Sequence, residues 1–262
     1  MIKHIKGFGL HTGAPVDVEI TKTSDNLITI NGITVNSDNV NGSNLCTQIG
    51  GVRCIEHLMS ALWYKNYTGI SINVRSEKSE YPYIDLPILD GSSSQWIDIL
   101  DEIDCCQNTS QIIITKEKNL ILDDKMITVE PSETFKVKYV YDNGKYKQLY
   151  EFEESQYADI RHSRTFCFEG EIGPLLSMGF GRSSDKQNTL ILDDRLNPIN
   201  PNENNDRQEF IKHKVLDFIG DMYCAGMRIR GTFYCVRTGH LTNNLMLKSI
   251  IADKSCYSIE TK

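Results

Sequence analysis

Two periods of apolar and polar residues alternate along this chain, and the switches between them mark its elements. In residues 27–35, LITINGITV sets two short β-branched runs either side of Asn31-Gly32, a pair that tolerates positive φ and predicts a hairpin with a type I′ turn. Ile55, Leu58, Met59 and Leu62 then fall at helical spacing and predict an amphipathic helix over 52–62. A strand over 70–74 and a helix over 94–103 follow. Past a polar stretch at 104–110, strand-like runs occupy 112–115, 120–122, 127–130 and 135–141. A long helix over 207–224, a strand over 228–236 and a closing helix over 240–251 complete the chain. The turn-rich segments 36–44 and 197–206 read as surface connections.

Strand runs followed by helices, twice over, argue for α+β layers rather than a doubly wound parallel sheet. The expected architecture is two similarly built two-layer domains, 1–108 and 109–262. With 262 residues, 40% hydrophobic and 24% charged, the chain carries enough side chain for a sizeable core, which excludes disordered and fibrous classes. Its 28 basic residues against 35 acidic ones give a net charge of −7, so it lacks the basic stripe of a nucleic-acid binder. No apolar run approaches the roughly 20 residues of a spanning helix, and no secretory h-region follows the first residues; no transmembrane segment and a cytoplasmic location are expected. The eight cysteines form no CxxC pair and read as reduced, mostly buried small apolar residues.

The candidate chemistry lies with a few of the six histidines. In FIKHKVLDFIGD, His213 and Asp217 are four residues apart and leave one helix face, either as a surface pair or as two ligands of one ion. His57 would complete a set of two imidazoles and one carboxylate with a fourth position open, the composition of catalytic rather than structural zinc. Its neighbour Glu56 diverges by about 100° around a helix, too far to share the ion easily but placed to work on bound water. His240, after Gly239 at a strand-to-helix corner, either caps a helix or faces a cleft. Thr165 in RHSRTFCF offers a hydroxyl beside Phe166 and Phe168. GFGLHTG lacks dinucleotide-loop spacing and reads as a turn, and neither a nucleophile elbow nor a catalytic cysteine signature is present, so metal-assisted hydrolysis leads.

As a set, GLHTG (9–13), IEHLMSAL (55–62), DLPILDGSS (85–93), SRTFCF (163–168), EFIKHKVLDFIGDM (209–222) and GHLTNN (239–244) resemble, in order and over nearly the whole chain, the zinc-dependent UDP-3-O-acyl-N-acetylglucosamine deacetylase family of lipid A synthesis. The resemblance implies two α+β domains with helices sandwiched between their sheets. It implies one zinc per chain on His57, His213 and Asp217, although such ligands also suit iron or cobalt. It further implies Glu56 as base beside the water, His240 as cationic acid and Thr165 as the hydroxyl near the oxyanion. Lys214 becomes a substrate contact and Asp221 the carboxylate that holds the catalytic histidine. Phe166, Phe168 and an insert over 168–188 with Ile172, Leu175, Leu176, Met178 and Phe180 would form the acyl passage, unless those apolar residues are ordinary core.

The implied partner is an acylated UDP-sugar, handled by a monomer, with Lys214 and Arg237 as cations for its anionic part. Glu56 and His240 are both candidates for the final proton delivery. Asp85, Arg182 and Ser183-Ser184 depart from the family pattern, which bears on passage shape rather than on the metal. Two alternatives stand beside this reading: deacetylation of a different acylated amino sugar, and a non-catalytic metal- or sugar-binding relative.

Overall fold

The computed structural model describes residues 2–43, 45–77, 79–103 and 105–261. The expected connections at 36–44 and 104–110 each include one residue, Asn44 and Asp104, outside that set.

The first sheet is built by alternation. In Pro15–Lys22, Val16, Val18 and Ile20 are buried while Asp17 and Glu19 turn outward. Its five strands run Ile2–Phe8, Pro15–Lys22, Ile70–Arg75, Ile28–Ile30, Ile33–Thr34. The last two form the expected hairpin, with φ of 48° at Asn31 and 77° at Gly32.

A seven-stranded sheet follows. Its centre is Arg228–Val236, with Ile229, Phe233 and Cys235 buried. One half of that strand lies parallel to Ser110–Ile114. The other lies between antiparallel Lys125–Glu130 and parallel Phe135–Asp142. Lys118–Leu122, Lys147–Glu153 and Tyr257–Thr261 complete it.

The helices are α1 (Glu56–Lys65), α2 (Ser94–Asp101), α3 (Tyr157–Ile160), α4 (Ile172–Ser177), α5 (Glu209–Tyr223) and α6 (His240–Ala252). Every residue of α1 from Glu56 to Trp63 is buried, as is nearly all of α5. A helix covered on every side lies between layers, not on a surface. One continuous core joins both sheets and these helices. At the crossing of α1 and α5, Gly220 comes so close that a Cβ there would lie 2.0 Å from the Glu56 carbonyl oxygen. That contact brings the first turn of α1 against the last turn of α5.

Three expectations change. The first long helix begins at Glu56, not at residue 52, because Val52–Arg53 pairs as a strand with Ile84–Asp85 and Cys54 takes a φ of 59° that breaks the chain direction. Segment 36–44 is not wholly a surface connection: Val40–Gly42 pairs with Thr47–Ile49 and Val40 is fully buried. Ile2–Phe8, Pro15–Lys22, Lys147–Glu153 and Tyr257–Thr261 are strands the sequence pass left unassigned.

Candidate metal centre

His213 and Asp217 occupy successive turns of α5, and His57 enters from the first turn of α1. His213 Nε2 and His57 Nε2 lie 3.3 and 3.5 Å from the same Asp217 oxygen, Oδ1. Ligands about 2.0–2.2 Å from one tetrahedral ion sit about 3.3–3.6 Å apart, so both separations suit a shared cation. The two imidazoles stand nearly perpendicular, 5.0 Å between centroids.

His213 Nδ1 donates to the Ser163 carbonyl at 2.9 Å, which fixes the tautomer and leaves the Nε2 lone pair facing Asp217. Asp217 Oδ1 is buried without a hydrogen-bond partner among the described residues. Burial holds the His213 ring down to about 4, against the pull of Asp217. Burial also works against the Asp217 charge, but the neighbouring His213 and His57 rings outweigh it and hold the carboxyl below its usual range. The neutral His213 imidazole, the His57 ring and a carboxylate oxygen without a hydrogen bond are the donor set a divalent cation completes. These residues therefore fit a metal.

Glu56 and His240 flank the trio. Glu56 Oε2 accepts the Thr47 N–H at 2.9 Å, and its Oε1 lies 3.9 Å from His240 Nε2. Burial pushes the Glu56 carboxyl well above its usual range, while the His240 cation draws it back. His240 opens α6, with Nδ1 3.0 Å from Asp221 Oδ2 and Nε2 3.8 Å from Asp217 Oδ2. Burial opposes its charge, but Asp221 and Glu56 prevail and raise it to about 10.

Asp221 is fully buried and held at both oxygens, by Thr47 Oγ1 at 2.5 Å and Asn243 Nδ2 at 2.8 Å. Asn244 Nδ2 donates to Thr47 Oγ1 and to the His240 carbonyl. Sequence reading missed Thr47, Asn243 and Asn244. The asparagines had a signal, three and four residues after His240 on one helix face; Thr47 had none, since its partner is 174 positions away. Equally unforeseen, the fully buried Glu209 accepts Arg164 Nε at 2.7 Å, Nη2 at 3.0 Å and the Arg164 N–H at 3.2 Å.

Around these groups lies a cavity of about 460 Å³, lined also by Thr165, Phe166, Phe168, Lys214, Leu175 and Phe180. A second cavity of about 230 Å³ shares Leu175 and Phe180 with it and adds Ile172 and Leu176. The expected apolar residues thus meet the pocket and its extension. No residue of α4 is buried, and Leu176 and Met178 are exposed, so the insert is not ordinary core. Lys214 Nζ reaches the cavity 5.7 Å from the Phe166 ring centre, its pKa lowered by burial. Arg237 pairs with Asp124 at 3.0 Å and is not among the residues lining this cavity.

A model of the family described as UDP-3-O-acyl N-acetylglycosamine deacetylase matches residues 2–252. The chain belongs to this family. It is 30% identical to the UDP-3-O-acyl-N-acetylglucosamine deacetylase of Helicobacter hepaticus, across 97% of this chain and 89% of that protein. To the proteins of that name from Shewanella loihica and Aquifex aeolicus it is 28% and 31% identical, across 97% and 76% of this chain and 88% and 69% of theirs.

Within this deacetylase family, two of the departures noted in the sequence, Asp85 and Arg182, make side-chain contacts here. Asp85 is fully buried, 3.1 Å from Arg53 Nε, and accepts the N–H groups of His11 and Thr12. Arg182 lies 5.6 Å from the Tyr81 ring centre, and Ser183 donates its N–H to the Leu10 carbonyl. Asp85 thus fixes the 9–13 turn, and Ser183 ties the end of the insert to that turn.

Proposed function

We propose that this chain hydrolyses the N-acetyl group of UDP-3-O-(3-hydroxyacyl)-N-acetylglucosamine, releasing acetate and the free amine, in lipid A biosynthesis. The observation that carries the reading is the convergence of His57, His213 and Asp217 with Glu56 and His240 at the mouth of an apolar extension.

One zinc per chain is the proposed ion, with iron as the other ion this donor set takes. When bound, such a cation supplies Lewis-acid polarisation of the acetamide carbonyl and acidification of a water. Glu56 Oε1 accepts the proton of the attacking water, its basicity raised by burial. The His240 imidazolium, charged through Asp221, stabilises the negative charge that develops on the carbonyl oxygen. The Thr165 hydroxyl adds a second donor, a type of contact worth on the order of 3 kcal/mol. The departing nitrogen leaves as an amine after taking a proton from Glu56 or His240, which balances water and amide against acetate and amine.

Phe166, Phe168, Ile172, Leu175 and Phe180 receive the acyl chain, and Lys214 meets the anionic part of the substrate. Every proposed site residue comes from one chain, so a monomer suffices. Eight free thiols suit the cytoplasm, where they stay reduced. Acetate release is to be compared on substrates with and without the 3-O-acyl chain. Turnover should fall by at least tenfold without it; indifference to the chain would reject the lipid A substrate in favour of another acylated amino sugar.

A further inference from the structure

Beside the centre described above, the ligating atoms of His11, Cys46 and Cys54 lie within 4.8 Å of one another. All three side chains are buried, at 8%, 1% and 7% exposure. They come from separate places: the turn after the first strand, the residue before Thr47–Ile49, and the break ahead of α1. Cys54 holds a φ of 59°, a conformation non-glycine residues rarely adopt, and contributes its thiol to the cluster from there.

His11 supplies the observation that points to a ligand. Its Nδ1 accepts a long 3.3 Å contact from the Gly181 N–H, and its Nε2 has no hydrogen-bond partner among the described residues despite its burial. A buried polar atom left unpaired forfeits the hydrogen bond it makes to water in the unfolded chain. The nearby carboxylate does not relieve it: Asp85 is engaged by Arg53 and by the His11 and Thr12 N–H groups. The cluster packs against Leu10 and Ile88, with Ser43 Oγ 3.7 Å from Cys46 Sγ and the Arg53 guanidinium close enough to act on His11 and Cys46. A contact between the two thiols draws Cys46 down to about 6 and, with burial, pushes Cys54 up. His11 also lines the 460 Å³ cavity, which gives the cluster a route to solvent.

We propose that His11, Cys46 and Cys54 form a second metal site, separate from the His57–His213–Asp217 centre, that takes a thiophilic divalent cation such as Zn²⁺ or Cd²⁺ through two thiolates and one imidazole. Two sulfurs and one nitrogen are a soft donor set of the kind such ions select over Mg²⁺ or Ca²⁺. Binding releases the remaining thiol protons to solvent. Ligation by Nε2 moves the ring proton to Nδ1, so loading also gives up the Gly181 contact.

The test is independent of the proposed reaction, because the first centre contains no sulfur. Protein holding one zinc is titrated with Cd²⁺ while bound metal and thiolate-to-cadmium ultraviolet absorption are followed. The expected result is a second ion per chain and an absorption band that grows with it. Cys46→Ser and Cys54→Ser should each lose most of the band and keep the first ion; His57→Ala should lose the first ion and keep the band. Cadmium NMR of the wild-type protein adds a check that needs no variant, the second ion appearing at a sulfur-ligated shift. Metal content fixed at one, a band unchanged in the Cys46→Ser/Cys54→Ser double variant, or a cadmium resonance without sulfur character would each overturn the proposal.

Discussion

Breaking the Arg164–Glu209 pair should both destabilise the protein and loosen its metal centre. Glu209, in the first turn of α5, is fully buried, and Arg164 is 8% exposed. Besides its contacts with Glu209, Arg164 donates to the carbonyls of Lys186 at 3.0 Å, Gln187 at 3.4 Å and Asn200 at 2.9 Å. One guanidinium therefore ties the end of the insert, the following loop and the start of α5 to the 163–165 segment. Glu209→Gln keeps the shape but leaves a buried cation without its counter-charge, a loss of about 3–5 kcal/mol. At about 2.1 cal/mol/K per residue, unfolding a chain of 262 residues has an entropy near 0.55 kcal/mol/K, so Tm should drop by about 5–9 °C.

Arg164→Met should cost a similar amount. The Arg164→Met/Glu209→Leu pair should fall short of the sum of the singles by about 2 kcal/mol, since the second change removes the charge stranded by the first. The adjacent Ser163 carbonyl orients His213, so zinc affinity by chelator competition should weaken about 10–100-fold. Thermal and urea unfolding of the zinc-loaded proteins supply the stabilities. Single variants within about 1 kcal/mol of wild type, or an additive cycle, would refute the reasoning.

Glu56→Gln should retain its metal and lose about 10²–10⁴ in acetate release, whereas unchanged turnover would remove Glu56 from proton transfer. Gly42→Ala would set a Cβ 2.0 Å from the His240 carbonyl oxygen, so it should displace the start of α6 and cut kcat at least tenfold with metal content intact; wild-type kcat would show that His240 needs no such positioning. The His11 imidazole, held by burial at about 4 against 6.5 in an unfolded chain, should make the fold acid-labile. The unfolded state takes its proton first, so stability present above pH 6.5 declines towards pH 4 by up to about 3 kcal/mol. Urea unfolding across that window should show a shallower decline in His11→Asn, and an equal decline would assign the effect elsewhere.

Local signals in the sequence carried the hairpin at Asn31-Gly32, the long helix with His213 and Asp217, and the strand Arg228–Val236, because each is written in consecutive residues. The start of α1 was misread because apolar spacing runs through Cys54, and only its positive φ separates strand from helix. Pro15–Lys22 carried a clear alternation that went unassigned, a missed signal rather than a hidden one. The His213–Asp217 spacing by itself favours a surface pair over a ligand pair; what separates them is His57, brought over from α1 where Gly220 lets the two helices touch. Thr47 on Asp221, Glu209 on Arg164 and the His11–Cys46–Cys54 cluster join residues far apart in the chain. No periodicity or local spacing encodes such pairings.

The proposed hydrolysis requires that residues from α1 and α5 share one catalytic cation. Anomalous diffraction at the zinc absorption edge from zinc-grown crystals tests it most directly. The expected result is a peak about 2.0–2.2 Å from His57 Nε2, His213 Nε2 and an Asp217 carboxylate oxygen together. Zinc-activated crystals in which no peak contacts these three side chains would contradict it.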